Sequence, residues 1–328
     1  MHPELFKIPF VGLTVKSYGT MMVIGFLAAA FVMSRMARQR GYKPEYITNT
    51  ALYALLVGIL GSRIFYVLHH HRQFADNFFS VFAVWQGGLE FLGGMILVIV
   101  FLMIYLKHKK LPMWEYLDIL AIGVMIGLGF GRIGCFFNGC CYGKTTESVI
   151  GVRFPYDSFA YNSQVRPDLA RHRTEPYLKI DDDFFGYLSS DGTWIPADTK
   201  DKYNAVLKPF DKLTESQKQL VTTGPYRCLK VLPTQLYSSA SALLLAGAMY
   251  LFWRTYAWRR PGLIGATLLW AYGLMRFLLE YLRDDNPFEY TWWAIYKGGT
   301  ISQNVCLYLI MLGLFFTVFF LRKPKKES

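Results

Sequence analysis

The sequence predicts an all-α polytopic membrane protein with about seven transmembrane helices and a small α+β external head inserted between spans four and five. Three observations carry this. The 328-residue chain is 53% hydrophobic and 17% aromatic, too apolar for an ordinary soluble domain. Its apolar residues are bunched into stretches close to the ~20 residues that a bilayer core requires. One long polar segment interrupts them.

The stretches fall near 17–37, 48–69, 87–106, 113–135, 233–253, 262–282 and 301–321. The expected organisation is spans one to four in 1–143, the head in 144–231, and spans five to seven with a basic tail in 232–328. No internal repeat is evident. "MHPELFKIPFVGLTVKSYG" at the start lacks a basic region running directly into an apolar core and a small-residue cleavage site, so no removable signal peptide is expected.

Lys and Arg beside short loops are retained on the cytoplasmic side. Here they follow odd-numbered spans: Arg35, Arg38, Arg40 and Lys43 the first; Lys107, Lys109 and Lys110 the third; Arg254, Arg259 and Arg260 the fifth; Arg322, Lys323, Lys325 and Lys326 the seventh. The N-terminus is thereby expected outside and the C-terminus in the cytoplasm. These 14 residues exceed the formal net charge of +12, so the positive balance is topological and no nucleic-acid partner is implied.

The head is expected on the outer side. "IGVRFPYDSFA" reads as a short strand and turn, "DDDFFGYLSSDGTWIP" as turn-rich structure, and "TESQKQL" as a helix fragment with Thr214 as N-cap. The segment carries no compact catalytic motif and reads as an insertion.

Ionisable and polar residues in membrane segments are expensive and mark candidate sites. Given this topology, Tyr18, Arg63, Glu90, Arg132, Asn138, Gln235, Tyr237, Arg276 and Glu280 all fall toward the outer leaflet. The three arginines suit multidentate recognition of phosphate, and an anionic lipid headgroup is the natural guest. Each residue has a plainer reading beside this one. Arg276 and Glu280, spaced i,i+4, can neutralise one another. Arg63 can snorkel to the interface. Tyr18, Tyr237 and Trp85 fit an aromatic belt. Gly123, Gly127 and Gly131 stack at helical spacing and predict a neighbouring backbone close beside Arg132.

Cys135, Cys140 and Cys141 form a Cys-x4-Cys-Cys pattern unlike a standard zinc site, so no metal is expected. A disulfide between Cys135 and Cys140, or with Cys228, and simple packing thiols both remain open. Cys306 reads as core. No cofactor is expected.

Six stretches in order resemble prolipoprotein diacylglyceryl transferase: "YGTMMVIGF" at 18–26, "GSRIFYVL" at 61–68, "WQGGLEFLGG" at 85–94, "GRIGCFFNGCCYG" at 131–143, "PTQLYSS" at 233–239 and "YGLMRFLLEYLR" at 272–283. The resemblance implies a bacterial inner-membrane enzyme. Such an enzyme moves the diacylglyceryl group of phosphatidylglycerol to the lipobox cysteine thiol of a prolipoprotein signal peptide, forming a thioether and releasing glycerol phosphate. It implies catalytic roles for Arg132, Arg276, Glu280 and Tyr18, and shared motif positions at Arg63, Asn138, Gly143 and Tyr272. Substrate contacts are expected also from Gln235, Tyr237 and Glu90.

The chain departs from the family pattern. Cys135 and Cys140 replace an asparagine and a glutamate, Leu92 replaces the usual third-span histidine, and Leu232 stands where a histidine often precedes the Pro-[Ser/Thr]-Gln-Leu-Tyr stretch. A histidine base does not carry over. Activation of the acceptor thiol by the positive field of Arg132 and Arg276 is expected instead, with Glu90, which lacks an obvious local cation, a better carboxylate than Glu280. The rival classes are a transporter of a small anion or lipid, a membrane thiol oxidoreductase, and an inactive relative that binds lipoprotein precursors. One-sided, unrepeated polar residues argue against the first, and the absence of Cys-x-x-Cys against the second.

Overall fold

The computed structural model of the chain describes residues 4–7, 14–74, 78–83, 88, 90–198 and 202–324. Trp85, Lys325 and Lys326 lie outside the described residues. A short antiparallel hairpin, β1 (Glu4–Lys7) with β2 (Thr14–Lys16), leads into α1 (Ser17–Gln39), α2 (Pro44–His69), α3 (Phe91–His108) and α4 (Met113–Asn138). The polar segment contributes α5 (Phe159–Gln164), β3 (Phe185–Leu188), β4 (Trp194–Pro196), β5 (Val206–Leu207) and α6 (Glu215–Thr222). The chain then runs through α7 (Thr234–Thr255), α8 (Leu263–Glu280) and α9 (Ile301–Arg322).

Among the described residues, α1, α2, α4, α7, α8 and α9 are six helices long and apolar enough to cross a membrane. The expected third span is shorter: its apolar helix begins at Phe91 rather than near 87, and its apolar part is Leu92–His108. Glu90, extended at φ −100° and ψ 110°, is the N-cap of this helix. Seven spans is thus an approximate figure.

By internal packing the chain forms two compact units: residues 1–25, 126–245 and 269–314 make one, and residues 26–125, 246–268 and 315–328 the other. In the second unit the ends of helices are finished by side chains. Asp118, 1% exposed on α4, accepts the backbone N–H groups of Gly262 and Gly265 at 2.8 Å each. These are orphan donors at the start of α8, the groups a helix leaves unpaired. A carboxylate there also meets the positive end of the helix dipole. The sequence reading passed over Asp118, because its partners lie far along the chain. At the other end of α9, Arg260 donates to the carbonyls of Phe320 (3.3 Å), Leu321 and Lys323 (2.8 Å). Arg40 lies over the rings of Trp253 and Trp258, 4.8 and 4.1 Å from their centroids. Basic residues after spans one and five therefore also close helix ends and cover aromatic surface.

In the first unit the 144–231 segment has its own apolar core, with Tyr142, Phe154, Tyr161, Phe184 and Phe185 buried together. The stretch read as merely turn-rich holds a true hairpin. β3 pairs antiparallel with β4 in the register Tyr187↔Ile195, and on its other side with β5 in the register Phe185↔Leu207. The strand expected in "IGVRFPYDSFA" shrinks to a single bridge, Val152↔Val231. Pro155 offers no N–H for a ladder, and Asp157 turns the chain at φ 61°. Ser158 then caps α5, accepting the N–H of Tyr161 at 3.2 Å. The Thr214 cap is as expected and is a full capping box with Gln217.

Asp118→Ala should destabilise the folded protein by about 1–3 kcal/mol, since it strands two buried N–H groups, and Asp118→Asn should lose less because it keeps one acceptor oxygen. Thermal unfolding in detergent measures both, and an unchanged Tm for the alanine variant would contradict the capping role.

Candidate active site

The site is built around the turn that ends α4. Gly139 (φ 75°) and Cys141 (φ 60°) adopt left-handed backbone, which reverses the chain and lets Cys140 N–H donate to Cys135 O at 3.2 Å. The first turn of α7 holds this reversal from the side. Thr234 Oγ1 donates to Cys141 O and Gln235 Nε2 to Cys140 O, each at 2.8 Å. Gly143 follows with its N–H on Leu232 O at 3.0 Å. A Cβ at Gly143 would sit 2.7 Å from both Leu232 O and Thr234 Cγ2, so only glycine fits between these strands of chain.

Arg132 lies one turn and a half before this reversal. Its Nη1 donates to Cys141 Sγ at 3.4 Å, and its Nε is buried without a hydrogen-bond partner. Among the described residues it takes part in no ion pair. Gln235 Oε1 and Tyr237 Oη, on the same first turns of α7, are likewise buried and unsatisfied. Buried polar atoms are nearly always paired, so these three make the start of α7 and the end of α4 a candidate ligand site; the other such atoms among the described residues, on Arg40, Glu90, Arg173 and Arg260, are scattered. Asn138 Nδ2 points to Cys140 Sγ at 3.7 Å. Tyr18, 42% exposed at the start of α1, packs on α4 where a Cβ at Gly134 would come within 3.1 Å of its Cδ2.

Arg276 is in the opposite state. It is buried and ion-paired with Glu280, 3% exposed. The same carboxylate lies 3.7 Å from Arg283 Nε and accepts from Thr300 Oγ1 at 2.9 Å and from Asn286 Nδ2. Arg283 in turn grips Asp285 through Nε (2.9 Å) and Nη2 (2.6 Å), and it bridges to Gly143. Burial pushes the Asp285 carboxyl above its ordinary range, and Arg283 pulls it back down. Arg283, Asp285, Asn286 and Thr300 were missed by sequence reasoning; the "RDDN" run just past Glu280 was the available signal. Tyr272 stands one turn before Arg276 on α8 and is half-buried.

The second unit holds the remaining two candidates. Arg63 is buried rather than snorkelling, with Nε on Val81 O (2.8 Å), Nη1 on Gly88 O (3.1 Å) and Nη2 on Ser80 O (2.5 Å). Glu90 has a local partner after all, His69 Nδ1 at 2.8 Å. His69 belongs to a run of three of the chain's six histidines, at the end of α2. Leu92 is 56% exposed.

The backbone expected beside the glycine stripe arrives in part: a Cβ at Gly25 of α1 would lie 3.4 Å from Gly127 O, so α1 runs close to α4 there, while Gly123 abuts the Met33 side chain and Gly131 the Met22 sulfur. Of the two readings left open for the cysteines, the structure has free thiols at all five. Cys228 instead donates to Gln164 Oε1 at 3.4 Å, while the sulfurs of Cys135, Cys140 and Cys141 lie within 4.8 Å of one another, far from the ~2.05 Å of a bond.

A sequence profile of the prolipoprotein diacylglyceryl transferase family matches residues 3–319. The chain belongs to that family. Phosphatidylglycerol–prolipoprotein diacylglyceryl transferase of Clostridium tetani is 26% identical over 319 residues, covering 96% of each chain. Its namesake in Chloroflexus aggregans is 38% identical over 149 residues, 45% of this chain and 48% of the relative. That of Streptococcus pneumoniae serotype 4 is 26% identical over 311 residues, 95% of this chain and 92% of the relative. With its six membrane-length helices, this diacylglyceryl transferase family member is a multi-pass membrane protein.

The thiols of this family member should differ in reactivity. Hydrogen bonds from Cys135 and Cys140, with the charges of Arg283 and Arg132, hold the Cys141 thiol below its ordinary range despite burial. Burial pushes Cys228 up to about 11. At pH 7 a small methanethiosulfonate reagent should therefore modify Cys141 well before Cys228, as read by peptide mass spectrometry, because the thiolate is the nucleophile. Equal rates would contradict this electrostatic asymmetry.

Proposed function

We propose that the chain transfers the diacylglyceryl group of phosphatidylglycerol to the lipobox cysteine of a prolipoprotein signal peptide, and that the turn after α4, the start of α7 and the end of α8 form the site. The observation that carries the site is the buried, partnerless Nε of Arg132 beside the unsatisfied Gln235 Oε1 and Tyr237 Oη. A guanidinium without a carboxylate is held ready for an exogenous anion. The names of the relatives supply the anion's chemistry: a phosphodiester lipid as donor and a prolipoprotein as acceptor. Neither a transporter nor an inactive relative is favoured beside that agreement.

In the proposed reaction the acceptor sulfur attacks the glyceryl CH2 that bears the phosphate. The C–S bond forms as the C–O bond breaks, the electron pair leaves on the phosphate oxygen, and the thiol proton passes to solvent or a base. Charge grows on the departing glycerol phosphate, so donors aimed at it stabilise the transition state more than the ground state. Arg132 and Arg276 take that role. Glu280, already accepting from Arg276, an amide and a hydroxyl and lying 3.7 Å from Arg283, orients Arg276. Tyr18, Asn138, Tyr272, Gln235 and Tyr237 line the lipid, and Gly143 keeps the turn against α7. Arg63 holds the carbonyls of Ser80, Val81 and Gly88. The basic flanks of the odd-numbered spans support an outward-facing site in a bacterial cytoplasmic membrane, with the C-terminus inside. The 144–231 segment is then external.

The deciding assay supplies phosphatidylglycerol and a lipobox peptide and reads the mass added to the peptide cysteine; folded protein that adds none would end the proposal. In that assay Arg132→Ala and Arg276→Ala should each lose about 100- to 1000-fold in rate, the usual cost of removing one preorganised donor. Near-normal turnover in both would refute the phosphate assignment.

Activation of the acceptor should need little from Glu90. A free thiol has a pKa near about 8.5, so the rate should rise with pH as the substrate ionises, and Glu90→Gln should slow transfer only modestly. Complete loss in Glu90→Gln, rescued at high pH, would make Glu90 the base.

A further inference from the structure

The proposed transfer uses the thiol of the substrate and leaves three of the protein's own thiols without a task. The turn after α4 brings Cys135, Cys140 and Cys141 into one cluster whose sulfurs all lie within 4.8 Å. We propose that this cluster binds one monovalent copper ion as a three-coordinate thiolate site.

The donor set selects the ion. Soft thiolates favour Cu(I) and zinc over harder ions, but zinc would need a water or another fourth ligand beside the three sulfurs, whereas trigonal Cu(I) needs none. Among the described residues this group of His, Cys, Asp and Glu ligands stops at three sulfurs, a number that suits trigonal Cu(I). For metal–sulfur bonds of about 2.3 Å, a trigonal site needs sulfurs about 4.0 Å apart. The cluster is thus within about 1 Å of closed geometry, reachable by side-chain rotation alone. A disulfide would need the sulfurs to approach by far more.

The surroundings are those of a built site. The reversal at Gly139 and Cys141 is fixed by Cys140 N–H on Cys135 O and by Thr234 and Gln235 on the carbonyls of Cys141 and Cys140. Two of the three sulfurs already receive N–H donors, Cys141 from Arg132 Nη1 at 3.4 Å and Cys140 from Asn138 Nδ2 at 3.7 Å. Such donors orient ligands and disperse their charge. Three thiolates and one Cu(I) carry a net charge of −2, and the Arg132 guanidinium, which has no ion pair among the described residues, offsets part of it. Binding transfers no electrons; each thiol still protonated gives its proton to solvent.

The test uses the full chain in detergent, reduced and without oxygen, mixed with Cu(I) as its coloured bicinchoninate complex. The expected result is one Cu(I) withdrawn per chain, with three sulfur scatterers at about 2.3 Å in X-ray absorption. Cys135→Ser, Cys140→Ser and Cys141→Ser should each weaken binding at least ~100-fold, the upper end of what loss of a supporting contact costs, and Cys306→Ser should leave it unchanged. Should a serine variant fail to fold, alkylation of the wild-type chain decides: copper should protect Cys135, Cys140 and Cys141 and leave the labelling of Cys228 and Cys306 as before. No withdrawal of copper, two-sulfur coordination, unchanged affinity in the folded serine variants, or unprotected cluster thiols would overturn the proposal.

Discussion

One buried carboxylate organises the end of α8. Glu280 has three hydrogen-bond donors on its two oxygens, from its own helix, from the loop that follows and from the residue just before α9, with Arg283 a further 3.7 Å ion pair. A carboxylate in such surroundings is tolerable only when every lone pair is met, and removal of one partner from a buried pair costs about 3–5 kcal/mol. Thr300 and Asn286 are therefore as necessary as the arginines, since neither cation alone could satisfy both oxygens. Through Arg283 the same network reaches Gly143, and through Gly143 the turn that carries the cysteines.

The two arginines of the proposed site are consequently unlike. Arg276 arrives at its work already neutralised and fixed, which limits its freedom to reorganise and makes it a rigid dipole. Arg132 has no carboxylate partner among the described residues, one unsatisfied nitrogen, and the Cys141 sulfur as its contact. A phosphodiester entering such a site replaces nothing at Arg132 except a weak contact to sulfur. In the proposed site this division of labour, one cation locked and one without a carboxylate, would provide both geometry and affinity without placing two unpaired charges in a low-dielectric region.

The helices were legible because hydropathy over ~20 residues is a strong local signal, and the exception is instructive. The third span was drawn too early because "WQGGLEF" is apolar, yet Gly88 at φ 69° and the extended Glu90 keep α3 from starting before Phe91. Arg132, Arg276 and Glu280 were legible as costly residues in apolar runs. The i,i+4 pairing of the last two followed from helical spacing alone. What stayed hidden depended on contacts between distant parts of the chain: Thr300 on Glu280, His69 on Glu90, and the carbonyls that hold Arg63. The glycine stripe was legible in part, since spacing marks a surface open to close approach but does not say where a backbone fills it, as α1 does beside Gly127, and where a methionine does.

The Asp118 cap has a consequence for how the protein is made. Its partners, Gly262 and Gly265, are synthesised 144 and 147 residues after it, which at ~5–20 residues per second is roughly 7–30 s. During that interval the fourth helix has an acid and no helix start to receive it. Asp118 lies five residues into α4, so until the chain beyond the large polar segment is delivered, water at the membrane edge is the partner left to it. The order of translation thus leaves a waiting step in assembly, and the residue that most needs its partner is the one that must wait for it.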